Sequence, residues 1–202
     1  MLTLPPLPTI SSFVQPPRGR SVKDASRSRM KLMNRLGRSE LSFVLDNDSS
    51  LFDSLVTKLC QHVDQFAECG EMTLTSIESS LHEALSNALF HGNLELTSDL
   101  RVGDDRAFHD LAEQRLAQSP FRDRKIHIRQ VLSRFHVVFS IRDEGPGFDP
   151  ATVPDPVQPG RIDKPFGRGL TIMRHCMTRV SFNAKGNQVT MIKRLGTIAD
   201  AE

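Results

Sequence analysis

Glu83, Asn87 and His91 recur at i, i+4 and i+8 in the stretch HEALSNALFHGN, residues 82–93, so a helix would carry them along one side. At about 100° per residue, Glu83 and Asn87 point well away from the apolar stripe of Ile77, Leu81 and Ala88. A carboxylate one turn from a neutral amide oxygen supplies a base and a hard ligand for Mg2+, a kit for activating water or a hydroxyl. The plainer alternative is a solvated helix face. His91 falls nearer the stripe, where packing or capping the helix end is expected of it rather than catalysis.

Two further motifs follow. In DEGPGF, residues 143–148, the alternation of the preceding strand puts Asp143 in phase with Ile141, pointing inward. An inward carboxylate is costly unless it meets a donor. An adenine amine is one such donor, and a self-satisfied turn is another. Gly145 and Gly147 would let the backbone pass close to a flat ring or a phosphate. In KPFGRGL, residues 164–170, glycines precede a helix, so backbone N–H groups and the helix dipole face any anion placed there. Lys164 and Arg168 could add point charges for a triphosphate. A simple loop-to-helix junction is the alternative, and no Walker-type phosphate loop occurs.

The elements that must hold these motifs are legible in outline. Leu41–Leu45 reads as a strand closed by Asp46-Asn47-Asp48. Leu51, Leu55, Leu59, Val63 and Phe66 recur at helical spacing until Cys69-Gly70. Thr73 is the expected cap of a second helix, buried through Ile77, Leu81, Ala84, Leu85 and Ala88 and running to Gly92. Residues 97–122 are polar, with a short helix over Arg106–Leu116. Strands are expected at Lys125–Val131 and Phe135–Ile141, the second with Phe135, Val137, Phe139 and Ile141 on one face. The Gly/Pro-rich loop 144–169 is too long for an ordinary connection. A helix over Leu170–Met177 and a hairpin, Arg179–Ala184 with Gln188–Arg194, close the chain. The whole predicts an α+β two-layer sandwich, with helices on one face of a mixed, mostly antiparallel sheet.

Charge and composition bound the partners. Residues 1–38 hold eight Lys or Arg against the single acid Asp24, while the remainder holds 18 basic and 23 acidic residues. A net charge of +2 therefore hides a basic arm on a mildly acidic body. Five prolines among the first twenty residues keep that arm out of helix or sheet, and it reads as a disordered tail or as an arm that docks on an acidic partner or nucleic acid. Without interleaved aromatics it is a poor nucleic-acid reader, so no direct nucleic-acid contact is expected. No apolar run approaches a membrane span, and no signal-like apolar stretch opens the chain. Three cysteines (Cys60, Cys69, Cys176) share no metal-ligand spacing and read as reduced thiols, which places the chain in the cytoplasm.

In this order the three motifs resemble the GHKL superfamily of ATP-binding proteins. Glu83-x-x-x-Asn87-Ala88 is similar to its N box, Asp143-x-Gly145-x-Gly147 to its first glycine box, and Gly167-x-Gly169-Leu170 to its second. The similarity covers residues 41–195 and implies one ATP-binding domain (39–196), which leaves the basic arm (1–38) and a short tail (197–202) outside it. Compact size, the lid sequence and the ending GNQVTMIKR look most like the bacterial anti-sigma serine/threonine kinase branch. The resemblance implies ATP and Mg2+ as ligands, Asn87 on the metal and Glu83 as general base. It implies Asp143 on the adenine amine with Thr190 nearby. Gly145 and Gly147 would form the adenine wall, and Lys164, Gly167, Arg168, Gly169 and Leu170 the lid over the phosphates.

That branch further implies an anti-anti-sigma-type (STAS) protein as phosphate acceptor, a sigma factor or similar regulator as captive, and a homodimer as the common assembly. The long 97–122 segment and the basic arm depart from the branch and put the identity of the partner in doubt. Two other functions fit the same residues. One is a nucleotide-controlled binding module without phosphotransfer. The other is the catalytic half of a histidine kinase, for which residues 1–72 offer only His62 as phosphoacceptor.

Overall fold

A computed structural model describes residues 37–67, 69–97, 105–152 and 168–195, without the side chains of Asp105 and Arg168. Outside the described residues lie the basic arm up to 36, the stretch 98–104, lid residues 153–167 with Lys164 and Gly167, and the tail.

Period-two burial marks the strands. Strand β1 (Arg38–Leu45) begins three residues before the expected Leu41, because Ser39 already alternates inward. After it, the Asp48 carboxylate accepts the Ser50 N–H at 2.9 Å and starts a single 3-10 turn, Ser49–Leu51. Helix α1 (Phe52–Ala67) follows and buries Phe52, Leu55, Val56, Leu59, Val63 and Phe66. Helix α2 (Glu71–Ser86) buries Ile77, Leu81, Ala84 and Leu85 and runs on as a π-helical segment, Asn87–Asn93. Thr73 does not cap it. The helix starts two residues earlier, behind Gly70 in extended conformation, and Thr73 N–H already donates to Gly70 O at 2.9 Å.

Helix α3 (Asp105–Leu116) meets the π-helical segment, with the Phe108 ring 5.6 Å from that of Phe90. Arg115 donates to Leu94 O and, with Arg124, lies against the Phe121 ring. Then come strands β2 (Ile126–Ser133) and β3 (His136–Arg142), helix α4 (Arg168–Cys176), and strands β4 (Arg179–Phe182) and β5 (Gln188–Arg194). Phe135 lies in the turn between β2 and β3 and is 55% exposed, so the inner face of β3 begins at Val137 instead.

The sheet order is β1-β2-β3-β5-β4. Every pairing among the described strands is antiparallel, where a mixed, mostly antiparallel sheet was expected. Its inner face, with Ile126, Ile128, Leu132, Val137, Phe139, Ile141, Val189 and Met191, is buried beneath α1 and α2. Burying each such side chain contributes about 1.5–3 kcal/mol, so this face holds the two layers together. Gln130 is the polar residue in that row, and it is satisfied there: its Nε2 donates to Leu59 O at 3.0 Å and its Oε1 accepts from His62 Nδ1 at 2.6 Å. The α+β two-layer sandwich is the architecture observed.

Candidate functional site

Asp143 extends the inward phase of Ile141 one step past the end of β3 and is buried, 9% exposed. Backbone pairing with the β5 side continues to it. Its N–H donates to Asn187 O at 3.0 Å, and Asn187 Nδ2 donates back to Asp143 O at 2.9 Å. Oδ1 accepts the Gly145 N–H at 2.9 Å. Burial pushes the carboxyl above its ordinary range, against the opposing pull of the Gly145 N–H and the charges of Lys185 and Arg124.

The glycines around it are points of close packing. A Cβ on Gly92 would lie 2.6 and 2.7 Å from the two carboxylate oxygens of Asp143, so the end of the π segment is pressed against this side chain. A Cβ on Gly145 would lie 2.6 Å from the Gly92 carbonyl carbon. Gly147 has φ +81° and passes the Lys185 backbone, conditions that only glycine meets at low cost. Lys185 Nζ closes the loop by donating to Gly145 O at 3.0 Å.

The third motif meets the first. Gly169, in the opening turn of α4, faces α2. A Cβ there would lie 3.2 Å from Glu83 Cδ, with Oε2 closer still, and 3.6 Å from Asn87 Nδ2. Glu83 and Asn87 are both half-buried, one turn apart, as the helical spacing requires. Arg168 begins α4 and Leu170 is half-buried within it. The fold therefore brings Glu83, Asn87 and Gly169 together, with Asp143 and Gly145 against Gly92 at the end of the π segment and Gly147 beside Lys185 and Asn187.

Two readings of the sequence need correction or refinement. Thr190 pairs with Ser140 and Ser181, out of phase with Asp143, whose inward row is Ile141 and Val189. It therefore lies on the other face of the sheet. The residue beside Asp143 is Asn187, two positions ahead of Val189, and strand parity was the signal that could have found it. His91 serves the helix end, its Nδ1 donating to Leu96 O at 2.6 Å.

Sequence reasoning also missed Asn93. Fully buried, it accepts the Glu144 N–H on Oδ1 at 2.8 Å, and its Nδ2 donates to Asn47 Oδ1 at 2.7 Å and Lys125 O at 3.1 Å. Its own carbonyl accepts from Arg124 at 2.7 Å. One amide thus ties the end of α2 to the DEGPGF loop. Glu144 is further fixed by His127 at 2.8 Å, whose hydrogen bond holds its carboxyl below the usual range.

Among the described residues no group of three or more His, Cys, Asp or Glu could cage a metal ion. The donor set beside Glu83 is a single amide oxygen. That set suits Mg2+, which keeps much of its water and is held by few protein ligands together with substrate phosphates. No described helix is long and apolar enough to cross a membrane.

A family model described as a histidine kinase-like ATPase domain matches residues 53–193, a span that includes Glu83, Asn87, Asp143, Gly169 and Asn187. No curated protein matches the chain.

Proposed function

The chain belongs to the histidine kinase-like ATPase domain family, and on that premise we propose that it is a regulatory serine/threonine protein kinase of the anti-sigma type. In this reading ATP lies between α2 and the sheet. Asp143 accepts the adenine amine, with the Gly145 N–H holding its carboxylate and Asn187 its main-chain carbonyl. Gly92 and Gly145 let the helix end and the loop close on Asp143, and Gly147 lets the loop pass the Lys185 backbone. The first turn of α4 presents backbone N–H groups to the phosphates. Asn87 would hold Mg2+, which supplies charge neutralisation on those phosphates when bound.

A Ser or Thr hydroxyl of an anti-anti-sigma-type protein attacks the γ-phosphorus. The bond between the γ-phosphorus and the bridging oxygen breaks, ADP leaves, and the hydroxyl proton passes to Glu83. Transfer of this kind needs mostly positioning and charge stabilisation, so a small set of groups suffices.

The observation that carries the reading is the approach of Gly169 to Glu83 and Asn87. It puts Glu83, Asn87 and the first turn of α4 in one place, which supports reading them as base, metal ligand and phosphate-facing helix end. The same proximity favours a transferase over a purely nucleotide-gated binding module, which needs no base at that point. His62, the phosphoacceptor that a histidine-kinase reading would need from this chain, has both ring nitrogens engaged, by Ser39 at 2.9 Å and Gln130 at 2.6 Å.

Incubation with Mg-ATP and purified anti-anti-sigma-type proteins should phosphorylate one on Ser or Thr. Glu83→Ala should cut that transfer by about 100-fold or more while retaining ATP affinity by calorimetry. Folded protein indifferent to ATP would remove the proposal. ATP binding with no transfer to any acceptor would leave the gated module in its place.

A further inference from the structure

The helices cover one face of the sheet, and among the described residues nothing covers the other. Strand register defines what that open face carries. Val131, Val138 and Ile192 lie side by side across β2, β3 and β5, half-buried, as a short aliphatic strip. Ser140 and Thr190 form the neighbouring row, giving a low, flat centre.

Around this centre stand arginines. Every arginine of the five strands has the outward phase, and Arg179 and Arg194 are exposed. Glu40 is the one acidic residue in the strands, and Arg129 (2.6 and 3.0 Å) and Arg38 (3.0 Å) already hold it. Beyond residue 38 the chain has an acidic surplus, so this basic field is a local concentration and not the average surface.

An aliphatic centre with an arginine rim is the composition of a protein-docking patch. We propose that the open sheet face docks a folded protein with an acidic surface, on the side opposite the nucleotide site. Charge chooses this occupant over the others. A second copy would set arginines against arginines, and the N-terminal segment has the same sign of charge as the face. Single-stranded nucleic acid on a sheet needs stacking platforms, but the strand phenylalanines Phe43, Phe139 and Phe182 all have the inward phase. Because the patch and the cleft lie on opposite sides of the sheet, an occupant there would leave ATP access open.

The test uses the full chain, a polyglutamate peptide as the acidic probe, and a thymidine oligonucleotide of matched charge. Amide shifts on adding the peptide should map to the outward rows of β2, β3 and β5. The double variant Arg179→Glu/Arg194→Glu should weaken peptide binding roughly tenfold or more and leave ATP affinity unchanged. Three results would overturn the proposal: shifts confined to the N-terminal segment with the sheet silent, tighter binding of the oligonucleotide than of the peptide, or a concentration-dependent dimer that the double variant dissolves. ATP affinity is read separately, so failure here is distinguishable from failure of the kinase reading.

Discussion

Gly169→Ala adds one methyl group at the meeting point of two motifs, and its consequences can be worked out before the experiment. The new carbon would crowd Glu83 Oε2 inside the 3.0 Å that Cβ atoms keep from other atoms, so the carboxylate must retreat by about an ångström. The obstructing atom is the far end of a flexible side chain. Moving it costs an off-rotamer penalty of about 0.5–1.5 kcal/mol. Replacing glycine by alanine returns at most about 1 kcal/mol, the helix-interior value, and less in an opening turn, so net stability should change by about 1 kcal/mol or less. Function should not be spared, because a displacement of about 1 Å in a reacting group costs on the order of 100-fold in rate.

The assay is single-turnover phosphotransfer beside a thermal melt: transfer down roughly 100-fold, Tm within a few degrees, ATP affinity close to that of the parent. Gly145→Ala is the contrasting control, since its methyl would strike the Gly92 backbone, which cannot step aside, and should lose stability as well as ATP binding. Unimpaired transfer by Gly169→Ala would refute the claim that Glu83 is the base.

Three further outcomes follow from the same geometry. Asp143→Asn should abolish ATP binding yet raise the Tm of the nucleotide-free protein at neutral pH. Burial raises the folded-state pKa above the ordinary 3.8, so the stabilising protonated form is fully present below 3.8 and is lost as pH rises through the folded value. Melts of parent and variant should converge in acid. Asn93→Ala should cost about 2–3 kcal/mol in urea denaturation by stranding the Glu144 N–H, and should weaken ATP binding with it. Burial, with the charges of Glu78 and Asp64 respectively, pushes the Cys60 and Cys69 thiols up to about 11, so iodoacetamide at pH 8 should alkylate both slowly by mass spectrometry.

Local periodicity made much of this legible in advance. The stripe from Ile77 to Ala88 located α2, and alternation through Ile141 turned Asp143 inward. Both depend only on residues close in sequence. The same alternation, applied to β5, would have turned Thr190 outward and Asn187 inward. The resemblance drew attention to a hydroxyl, and strand parity overrides it. Thr73 looked like a cap because its hydroxyl suits one, but the helix opened earlier behind Gly70 without a side-chain cap. Asn93 was illegible for a different reason. Its partners Asn47, Lys125 and Glu144 are far apart in sequence, and no spacing rule reports an amide that joins three loops.

The widened turn at Asn87–Asn93 carries a cost that selection for robustness alone would remove. A wide turn holds one residue more than an α-helix needs over the same length. Deleting a residue there would give a more regular rod. It would also swing Gly92 and Asn93 about the axis by roughly 100°, away from the carboxylate and the loop they now meet. Engineering for heat resistance should therefore leave this irregularity alone, because smoothing it would trade a working cleft for a sturdier but inert protein.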